Sequence, residues 1–349
     1  MISTDVAVIG GGQAGLAAGF HLRRRGVKSV ILDANTHPGG AWQHFWDSMR
    51  MFSPAAHSPL PGWRMPPQPG ENFPTANHVV EYFTRYEDRY DLQVQRGVRV
   101  LNVRRAGKRF LLETDHGDLS ARAVISATGT WENPVLPEYP DQQLFCGDQV
   151  HTVDYKSPEP FAGKRVVVVG GGNSGPQVLA DVSRAAETLW VTQRPPRFMP
   201  DDVDGRVLFD VATAREAARR EGLEHEGVEG LGDIVMVPAV KDARSRGVLK
   251  RRPMFEGFTA RGVRWADGSE WTCDAVIWCT GFRPALSHLD GLDLTWIDGH
   301  PATEGTRSVD HPGLHLLGYG DWTGFASATI IGAARTSKST VAELIEFLA

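Results

Sequence analysis

The feature that most constrains this chain is an internal repeat. A short apolar run leads into the glycine-rich turn of residues 10–15, and an equivalent run leads into the same kind of turn at residues 170–175. Two further apolar runs end in Thr-Gly, at Thr128-Gly129 and at Thr280-Gly281. Both signals recur in one order at a separation of roughly 150 to 160 residues, which indicates a duplicated structural unit.

Each glycine-rich turn lies between a predicted strand and a predicted helix. Residues 6–9 and 166–169 are continuous apolar runs, which are typical of parallel strands covered on both faces. Residues 14–25 are rich in Ala and Leu and end in arginines, which favours a helix. Residues 29–33 then predict a second strand that ends in an acid. The predicted fold class is α/β, with two Rossmann-like dinucleotide-binding domains.

The order of the motifs predicts that the second domain is inserted into the first. The first domain is expected at residues 1–156 and resumes at residues 285–349, and the second is expected at residues 157–284. The stretch Ser157–Pro160 contains two prolines and favours a linker between the two domains.

Two further segments complete the prediction of secondary structure. Residues 199–270 are less regular, and they are interpreted as the later part of the second Rossmann unit with an insertion. Within them, residues 212–221 form a polar piece typical of a helix. The tail contains a predicted strand at residues 314–317 and a closing helix at residues 329–348.

Composition excludes several classes of function. The net charge is −5 and the pI is about 6.2, so no general nucleic-acid surface is expected, and the short basic run of residues 250–252 is typical of a solvated face. The N-terminus has no basic start followed by an apolar stretch, and no apolar segment approaches the ~20 residues needed to span a bilayer. We therefore expect a cytoplasmic protein without a membrane segment or a nucleic-acid partner.

Cysteine and histidine usage points away from thiol and metal chemistry. Cys146, Cys273 and Cys279 are odd in number and form no C-x-x-C pair, so we expect reduced thiols. The histidines show no ligand spacing, so no metal site is expected.

The first glycine-rich turn predicts a dinucleotide site. In such a turn the first glycine permits the tight bend, the second admits the pyrophosphate, and the third lets helix and strand pack closely. The N-terminus of the helix offers free N–H groups to phosphate, and Asp33 would accept hydrogen bonds from ribose hydroxyls. The predicted contacts are Gly10, Gly12, Gln13, Ala14, Gly15 and Asp33.

The second turn predicts a different dinucleotide. No acid stands at the end of its second strand, where Gln193 and Arg194 occur instead. Arginine can pair with a 2′-phosphate, which favours NADPH, but the neutral Gln193 could bond a bare ribose, so NADH stays open. A solvent-exposed Arg194 without a ligand is the alternative. The predicted contacts are Gly170, Gly172, Asn173, Ser174, Gly175, Gln193 and Arg194.

With these motifs in place, the chain resembles the class B flavoprotein monooxygenases, the group of flavin-containing and Baeyer–Villiger monooxygenases. The segment from Phe145 to Tyr155 matches the group's pattern F-x-G-x-x-x-H-[ST]-x-x-[YFW] just before the second turn. The motifs Gly39-Gly40-Ala-Trp42 and Gly318-Tyr-Gly-Asp321 and the two Thr-Gly pairs are similar to further motifs of the group. The chain is most similar to small bacterial members that accept both NADH and NADPH.

The resemblance implies a glutathione-reductase-like FAD domain with an inserted NAD(P)H domain. The implied FAD contacts are Gly40, Trp42, Thr128, Gly129 and Asp321, and the implied nicotinamide contacts include Thr280 and Gly281. The implied reaction passes hydride from NAD(P)H to the flavin, forms a flavin 4a-hydroperoxide with O2, and transfers one oxygen atom to a small sulfide or ketone. The implied partners are this small molecule and O2, and a homodimer is one open arrangement.

Three of these residues keep a second interpretation. His151 is implied to couple the two domains, yet it could be a hydrogen-bonded linker residue. Trp42 could belong to the core, as could the aromatic residues that follow it up to Trp63, which otherwise line a pocket. Asp321 could be a turn or helix-cap residue.

One position departs from the pattern of the group. Many members place an Asn over the flavin in a segment that resembles residues 49–54, and here Ser53 stands in its place. Serine offers a shorter, differently directed hydroxyl, so we expect poorer stabilisation of the oxygenated cofactor and release of hydrogen peroxide. Ser53 and His151 are the candidate catalytic residues.

Three alternatives to oxygen insertion follow from the same residues. An NAD(P)H-dependent flavin reductase would pass electrons to another acceptor, and an NADPH oxidase would pass them to O2 alone. A non-catalytic dinucleotide sensor is disfavoured, because both glycine-rich turns are intact.

Overall fold

The computed structural model describes residues 2–220 and 232–349. The strands are β1 (Ile2–Ile9), β2 (Ser29–Asp33), β3 (Val94–Arg96), β4 (Val100–Ala106), β5 (Arg109–Thr114), β6 (Leu119–Ser126), β7 (Asp148–His151), β8 (Arg165–Val169), β9 (Glu187–Thr192), β10 (Arg251–Pro253), β11 (Gly257–Thr259), β12 (Gly262–Arg264), β13 (Glu270–Thr272), β14 (Ala275–Trp278), β15 (Trp296–Ile297), β16 (His300–Pro301), β17 (Thr303–Glu304), β18 (Arg307–Ser308) and β19 (Leu314–Leu316). The helices are α1 (Gln13–Arg24), α2 (Ala76–Tyr90), α3 (Ser174–Val182), α4 (Gly205–Arg220), α5 (Pro238–Ser245) and α6 (Ile330–Leu348).

The chain folds into two units, and the first consists of Met1–Gln43, Ser53–Asn133 and Pro284–Ala349. Its sheet has the order β17-β18-β19-β6-β1-β2-β3, in which β19, β6, β1, β2 and β3 are parallel neighbours. β5 and β4 continue antiparallel from the first half of β6. α1 packs on α6 and α2 on one side of this sheet.

The core of the first unit lies where the parallel sheet meets the β4–β5–β6 meander. Ile9, Leu32 and Val124 of the sheet belong to one buried cluster with Phe110 and Leu112 of β5. Burying apolar side chains of this size stabilises the fold by about 2 kcal/mol each. The ends of β1 and β2, from which the first glycine-rich turn and Asp33 project, are therefore fixed by this core.

The second unit consists of His44–Phe52 and Pro134–Arg283. Its main sheet, β10-β9-β8-β14-β7, is parallel throughout. The antiparallel strands β11, β12 and β13 form a second small sheet. Val167, Val191 and Trp278 of the parallel sheet share a buried cluster with Phe255 and Phe258. The duplicated α/β architecture expected from the repeat is thereby confirmed.

The boundaries between the units differ from the predicted ones. Residues 134–156, expected with the first domain, lie in the second unit because β7 pairs with β14. Residues 157–160 are not a linker, since they lie inside the second unit. There Phe161 is 5% exposed and stacks on Tyr155 with ring centroids 6.0 Å apart. The short segment 44–52 also belongs to the second unit, which no sequence signal indicated.

Most predicted elements agree with the observed ones to within a residue. β2 has the predicted bounds, and α6 begins after Thr329, whose hydroxyl accepts a hydrogen bond from the Gly332 N–H at 3.0 Å. α4 begins at Gly205 rather than at residue 212, because the Asp204 carboxylate accepts hydrogen bonds from the N–H groups of its first turn. The predicted end of this helix, Glu221, lies outside the described residues. No helix in the described ranges is long and apolar enough to cross a bilayer.

Candidate dinucleotide sites

The first glycine-rich turn joins β1 to α1 in the first unit. Gly10 has a φ of +105°, and a Cβ built on it would lie 2.4 Å from the carbonyl oxygen of Ala127. A Cβ on Gly15 would lie 1.8 Å from the carbonyl oxygen of Gly10. Neither position tolerates a side chain, because the backbones of strand and helix touch there. The predicted roles of these two glycines in bending and close packing match this geometry.

The middle glycine of the turn faces another glycine. Gly12 is the N-cap of α1 and receives no side-chain cap hydrogen bond. Gly40 has a φ of +53°, and a Cβ on it would lie 2.7 Å from the Cα of Gly12. The start of α1 thus offers uncapped N–H groups beside a pair of side-chain-free residues, which fits an extended anionic ligand such as a pyrophosphate.

Gln13 connects three of the predicted motifs. Its side-chain carbonyl accepts a hydrogen bond from Trp42 Nε1 at 3.1 Å, and its amide nitrogen donates to the Ala328 carbonyl at 2.5 Å. A Cβ on Gly318 would lie 2.7 Å from the Cβ of Ala14. The C-terminal motif and the Gly39–Trp42 turn are therefore both brought to the start of α1.

Asp33 ends β2 and is 3% exposed. Its Oδ1 accepts hydrogen bonds from the Asn35 N–H at 3.1 Å and from Asn35 Nδ2 at 3.0 Å, while its Oδ2 pairs with Arg96. Sequence reasoning missed Arg96, which ends the neighbouring strand β3. Its only signal was a basic residue at the end of a short stretch that alternates apolar and polar residues, 92–96, and the register that brings it beside Asp33 is a tertiary property.

The Thr128-Gly129 pair is held by a buried hydroxyl network. Tyr319 OH lies 2.6 Å from Ser126 Oγ and 2.7 Å from Thr128 Oγ1, and it accepts a hydrogen bond from the Thr128 N–H at 3.1 Å. Ser126 Oγ also lies 3.0 Å from His288 Nε2. Burial lowers the pKa of His288 to about 4, so this ring is neutral near pH 7. Tyr319 lies within the predicted C-terminal motif, yet only Asp321 was singled out from the sequence.

Asp321 itself is exposed. Its Oδ1 accepts a hydrogen bond from the Ala326 N–H at 3.1 Å, which shows the turn role that the sequence left open. Ala326 has a φ of +52°, an unusual value for a residue with a side chain, and its carbonyl oxygen lies against Gly332 of α6. The turn that Asp321 stabilises therefore packs against α6 of the first unit.

The second glycine-rich turn repeats the close packing of the first at its first and last glycines. A Cβ on Gly170, whose φ is +141°, would lie 2.3 Å from the Cys279 carbonyl oxygen, and one on Gly175 would lie 2.2 Å from the Gly170 carbonyl oxygen. A Cβ on Gly172 would meet nothing within 4 Å. The open space at Gly172 fits the predicted approach of a dinucleotide backbone.

The end of β9 presents the residues predicted to read the ribose. Gln193 and Arg194 are exposed, and the described residues offer the Arg194 guanidinium no hydrogen-bond or ion-pair partner. Arg197, three residues on, is engaged by Asp233 in a bidentate pair at 2.9 and 2.5 Å. Asn173 is also committed, since its Oδ1 accepts a hydrogen bond from the Val235 N–H at 2.8 Å. Arg194 is therefore the available cation of this turn.

The two Thr-Gly pairs make equivalent contacts. Thr128 Oγ1 donates to the Ala285 carbonyl at 2.7 Å, and the Ala285 N–H donates to the Gly129 carbonyl at 2.9 Å. In the second unit the same two bonds join the Thr280-Gly281 pair to Val135, at 2.5 and 3.0 Å.

The segment from Phe145 to Tyr155 is anchored wholly inside the second unit. A Cβ on Gly147 would lie 2.5 Å from the Asp274 carbonyl oxygen, so this strand approaches β14 closely. Thr152 Oγ1 donates to the Trp278 carbonyl at 2.9 Å. The Tyr155 hydroxyl donates to the Asp181 carboxylate of α3 at 2.7 Å. These contacts explain the pattern F-x-G-x-x-x-H-[ST]-x-x-[YFW], because its residues hold β7 beside β14 in the parallel sheet and join the segment to α3.

His151 ends β7 and is 3% exposed. Its Nδ1 accepts a hydrogen bond from the Val153 N–H at 3.2 Å, and its ring meets the Phe282 ring edge-on at 5.1 Å. Among the described residues its buried Nε2 has no hydrogen-bond partner. Burial lowers the pKa of His151, although the Gly281 backbone and the Asp154 charge oppose this shift. A neutral ring with one unused N–H suits a residue that contacts a ligand or moves with a segment.

Ser53 lies where the chain passes between the two units. It is half-buried and follows Phe52, whose carbonyl accepts a hydrogen bond from the Gly205 N–H at 2.9 Å. Trp46, one of the aromatic residues with two interpretations, is 2% exposed and packs on Tyr155, so it is a core residue. Trp63 lies under Arg85 and Arg89 instead.

The cysteines do not form a redox pair. All three are free, with Cys146 exposed and the other two buried. Burial raises the pKa of both Cys273 and Cys279 to about 12, which keeps them as unreactive thiols. Within the described residues no cluster of His, Cys, Asp and Glu could hold a metal ion.

Known proteins are similar to this chain over most of its length. Residues 7–224 match the family of pyridine nucleotide-disulphide oxidoreductases. The solved structure of a flavin-containing monooxygenase from Stenotrophomonas maltophilia is 50% identical, with a TM-score of 0.91 and 100% of each chain covered. An uncharacterized oxidoreductase of Geobacillus kaustophilus is 28% identical over 94% of each chain. An indole-3-pyruvate monooxygenase of Oryza sativa is 28% identical over 79% of this chain and 76% of that protein.

Two glycine-rich turns, each on its own parallel sheet, define a flavoprotein built for two dinucleotides. The chain belongs to the pyridine nucleotide-disulphide oxidoreductase family, and within that family it is a class B flavin monooxygenase. Its cofactors are FAD and NAD(P)H.

Proposed function

We propose that this flavin-dependent monooxygenase transfers one oxygen atom of O2 to the sulfur of a small sulfide, or to a ketone as the second class of substrate. The observation that carries the proposal is the geometric repeat of Gly10 on Ala127 and Gly170 on Cys279, which provides two dinucleotide turns in one chain. The 50% identity to a flavin-containing monooxygenase supports oxygen transfer rather than electron transfer alone. The buried, high-pKa cysteines speak against a dithiol reductase.

The first unit would hold FAD. The uncapped start of α1 would bind the pyrophosphate, Asp33 the ribose hydroxyls, and the Gly12–Gly40 cradle would let the cofactor pass close to the backbone. Trp42 and Thr128 would lie along the bound cofactor. When bound, the flavin supplies hydride acceptance and activation of O2, so no side chain needs to act as a nucleophile.

The second unit would hold the nicotinamide dinucleotide. The open backbone at Gly172 would receive its pyrophosphate, and Gln193 and Arg194 would meet the adenosine ribose. An unengaged guanidinium at this position favours a 2′-phosphate, so NADPH is the preferred donor and NADH the weaker one. His151 would position the Thr280-Gly281 segment, because its ring meets the Phe282 ring edge-on at 5.1 Å, next to this pair.

The ketone alternative draws on a relative. The printed substrate of the Oryza sativa monooxygenase, indole-3-pyruvate, carries a ketone group next to a carboxylate. Arg99 of the first unit is engaged by Glu132 at 2.6 and 2.9 Å, so this guanidinium would not be available to such a carboxylate.

The test is one assay with three readouts. Purified enzyme is mixed with NADPH or NADH, methyl phenyl sulfide and 18O2, and the sulfoxide, the hydrogen peroxide and the nucleotide consumed are measured together. Sulfoxide that carries 18O supports the proposal. Stoichiometric peroxide without sulfoxide would identify an NADPH oxidase, and anaerobic reduction of a quinone at the same rate would identify a reductase.

A further inference from the structure

Three charged side chains form a buried cluster in the first unit. β3 pairs with β2 in the register that sets Arg96 opposite Asp33. Arg96 donates from Nη1 to Asp33 and from Nη2 to Glu87 of α2. The side chains of Arg96, Asp33 and Glu87 are only 17%, 5% and 12% exposed, respectively. Burying three charges is expensive and rarely stabilises a fold more than apolar residues of the same size would, so the cluster calls for a functional explanation.

The cluster lies directly against the first glycine-rich turn. A Cβ on Gly11 would lie 2.5 Å from Asp33 Oδ2 and 2.9 Å from Arg96 Nη1. The carboxylate and the guanidinium thus reach the same point of the turn, side by side. A carboxylate and a guanidinium offer an acceptor and a donor, and two neighbouring ribose hydroxyls can use both at once.

Two members of the cluster, Asp33 and Arg96, keep hydrogen-bonding capacity for a ligand. Asp33 accepts two bonds at Oδ1 and one at Oδ2, and a carboxylate has about four acceptor positions. Arg96 Nε is buried, and in the described part of the chain it has no hydrogen-bond partner. An unpaired buried N–H destabilises the fold, and a ligand oxygen that accepts from it would remove this cost.

From this arrangement we propose that Arg96 is a second binding residue for the adenosine half of FAD, donating to its ribose or phosphate oxygens beside Asp33. Glu87 is a positioning residue, because it holds the second face of the guanidinium. The inference rests on the proposed assignment of FAD to the first unit, and it is independent of the acceptor substrate.

The experiment measures cofactor binding and needs no turnover. FAD is removed from the enzyme, and the apoprotein is titrated with FAD by flavin fluorescence and with ADP by competition against FAD. The variants are Arg96→Lys, Arg96→Gln and Glu87→Gln. Arg104→Lys is the matched control, because Arg104 makes an exposed ion pair with Glu113 in the same unit.

Loss of a charge-assisted hydrogen bond is worth about 1.5–3 kcal/mol, so we expect Arg96→Lys to weaken FAD and ADP by the same factor of about 10 to 100. Arg96→Gln should weaken them at least as much, Glu87→Gln less, and Arg104→Lys not at all. The proposal is overturned if folded Arg96→Lys binds FAD with unchanged affinity. It is also overturned if this variant binds FAD more weakly but ADP with unchanged affinity. If wild-type apoprotein fails to rebind FAD, the assignment of FAD fails instead. If Arg96→Gln does not fold, the FAD and ADP affinities of Arg96→Lys still test the proposal.

Discussion

A Cβ on Gly170 would lie 2.3 Å from the carbonyl oxygen of Cys279, the residue that immediately precedes the Thr280-Gly281 pair. Gly10 stands in the same relation to Ala127, which precedes Thr128-Gly129. The first glycine of each turn thus packs against the residue that precedes the Thr-Gly pair of the same unit. This explains why the two sequence signals recur together at similar spacing.

Replacing Gly170 by Ala should destabilise the second unit. The new Cβ would overlap a backbone oxygen at a φ of +141°, so we expect the free energy of unfolding to fall by about 3 kcal/mol or more. Gly172→Ala is the matched control, since its Cβ meets nothing within 4 Å. It should unfold like the wild type in urea, yet raise the KM for NADPH where the dinucleotide approaches the backbone. Equal stability of the two variants would contradict this packing argument.

Tyr319→Phe should loosen the Thr128-Gly129 pair. The substitution removes the hydroxyl that bonds Ser126 Oγ, Thr128 Oγ1 and the Thr128 N–H. The Thr128 N–H loses its partner, whereas Ser126 Oγ keeps His288 and Thr128 Oγ1 keeps the Ala285 carbonyl. We expect a loss of about 1–3 kcal/mol in unfolding free energy and weaker retention of FAD. Urea unfolding and flavin released on gel filtration measure the two effects. Full retention of FAD with lowered stability would limit Tyr319 to a structural role.

The neutral state of buried His315 makes folding sensitive to acid. Its ring is fully buried with Nδ1 3.0 Å from Thr306 Oγ1, and burial, with help from Arg307, lowers its pKa to about 4 from the usual 6.5. Between these values the unfolded chain binds a proton that the folded chain does not. The contribution of neutral His315 to the free energy of unfolding is therefore fully present above pH 6.5 and is lost as the pH falls toward 4. By pH 5 the loss is about 2 kcal/mol.

Urea unfolding at pH 7.5 and pH 5 checks this dependence. His315→Gln removes the titrating ring while keeping a polar side chain near Thr306, so its unfolding free energy should decline less between the two pH values, by about 2 kcal/mol. A His315→Gln variant with the full wild-type decline would assign the acid sensitivity to other groups.

Sequence patterns captured the elements that periodicity and glycine chemistry determine. The apolar runs that became β1 and β8, the strand that ends at Asp33, and the Thr329 cap of α6 are local properties, so a sequence suffices to predict them. The boundary at residue 134 was missed because it depends on β7 joining β14 across more than a hundred residues. A proline-rich stretch resembles a linker until Phe161 is seen to be buried.

The residues of the candidate site likewise divide into those that a local sequence pattern indicates and those that only the tertiary structure brings together. The glycines and Asp33 could be chosen from one motif, whereas Arg96, Tyr319 and His288 act through partners distant in sequence. Their residue types are unremarkable in any sequence window. What makes them part of a site is the register between strands and the burial of hydroxyl and imidazole groups, and both are tertiary properties.

Arg194→Gln should reduce the preference for NADPH over NADH. The guanidinium is exposed at the end of β9 and unengaged, so it is available to a 2′-phosphate, and its loss should raise the KM for NADPH about tenfold with little change for NADH. Arg197→Gln is the control, because Asp233 already binds that guanidinium at 2.9 and 2.5 Å. Initial rates with both nucleotides give the four KM values. A parallel rise for NADH would mean that Arg194 does not read the phosphate.

Ser53→Asn should tighten the coupling between nucleotide oxidation and oxygen transfer. Ser53 is half-buried, and the longer Asn amide would carry an N–H donor further from the backbone than the Ser hydroxyl, whereas Ser53→Ala removes the hydroxyl. One hydrogen bond worth about 1 kcal/mol changes a partition ratio about fivefold. We therefore expect the ratio of hydrogen peroxide to sulfoxide to fall in the Asn variant and to rise in the Ala variant, measured per NADPH consumed. If both variants keep the wild-type ratio, Ser53 lies outside the reach of the oxygenated cofactor, and the cause of any peroxide release must be sought elsewhere in the first unit.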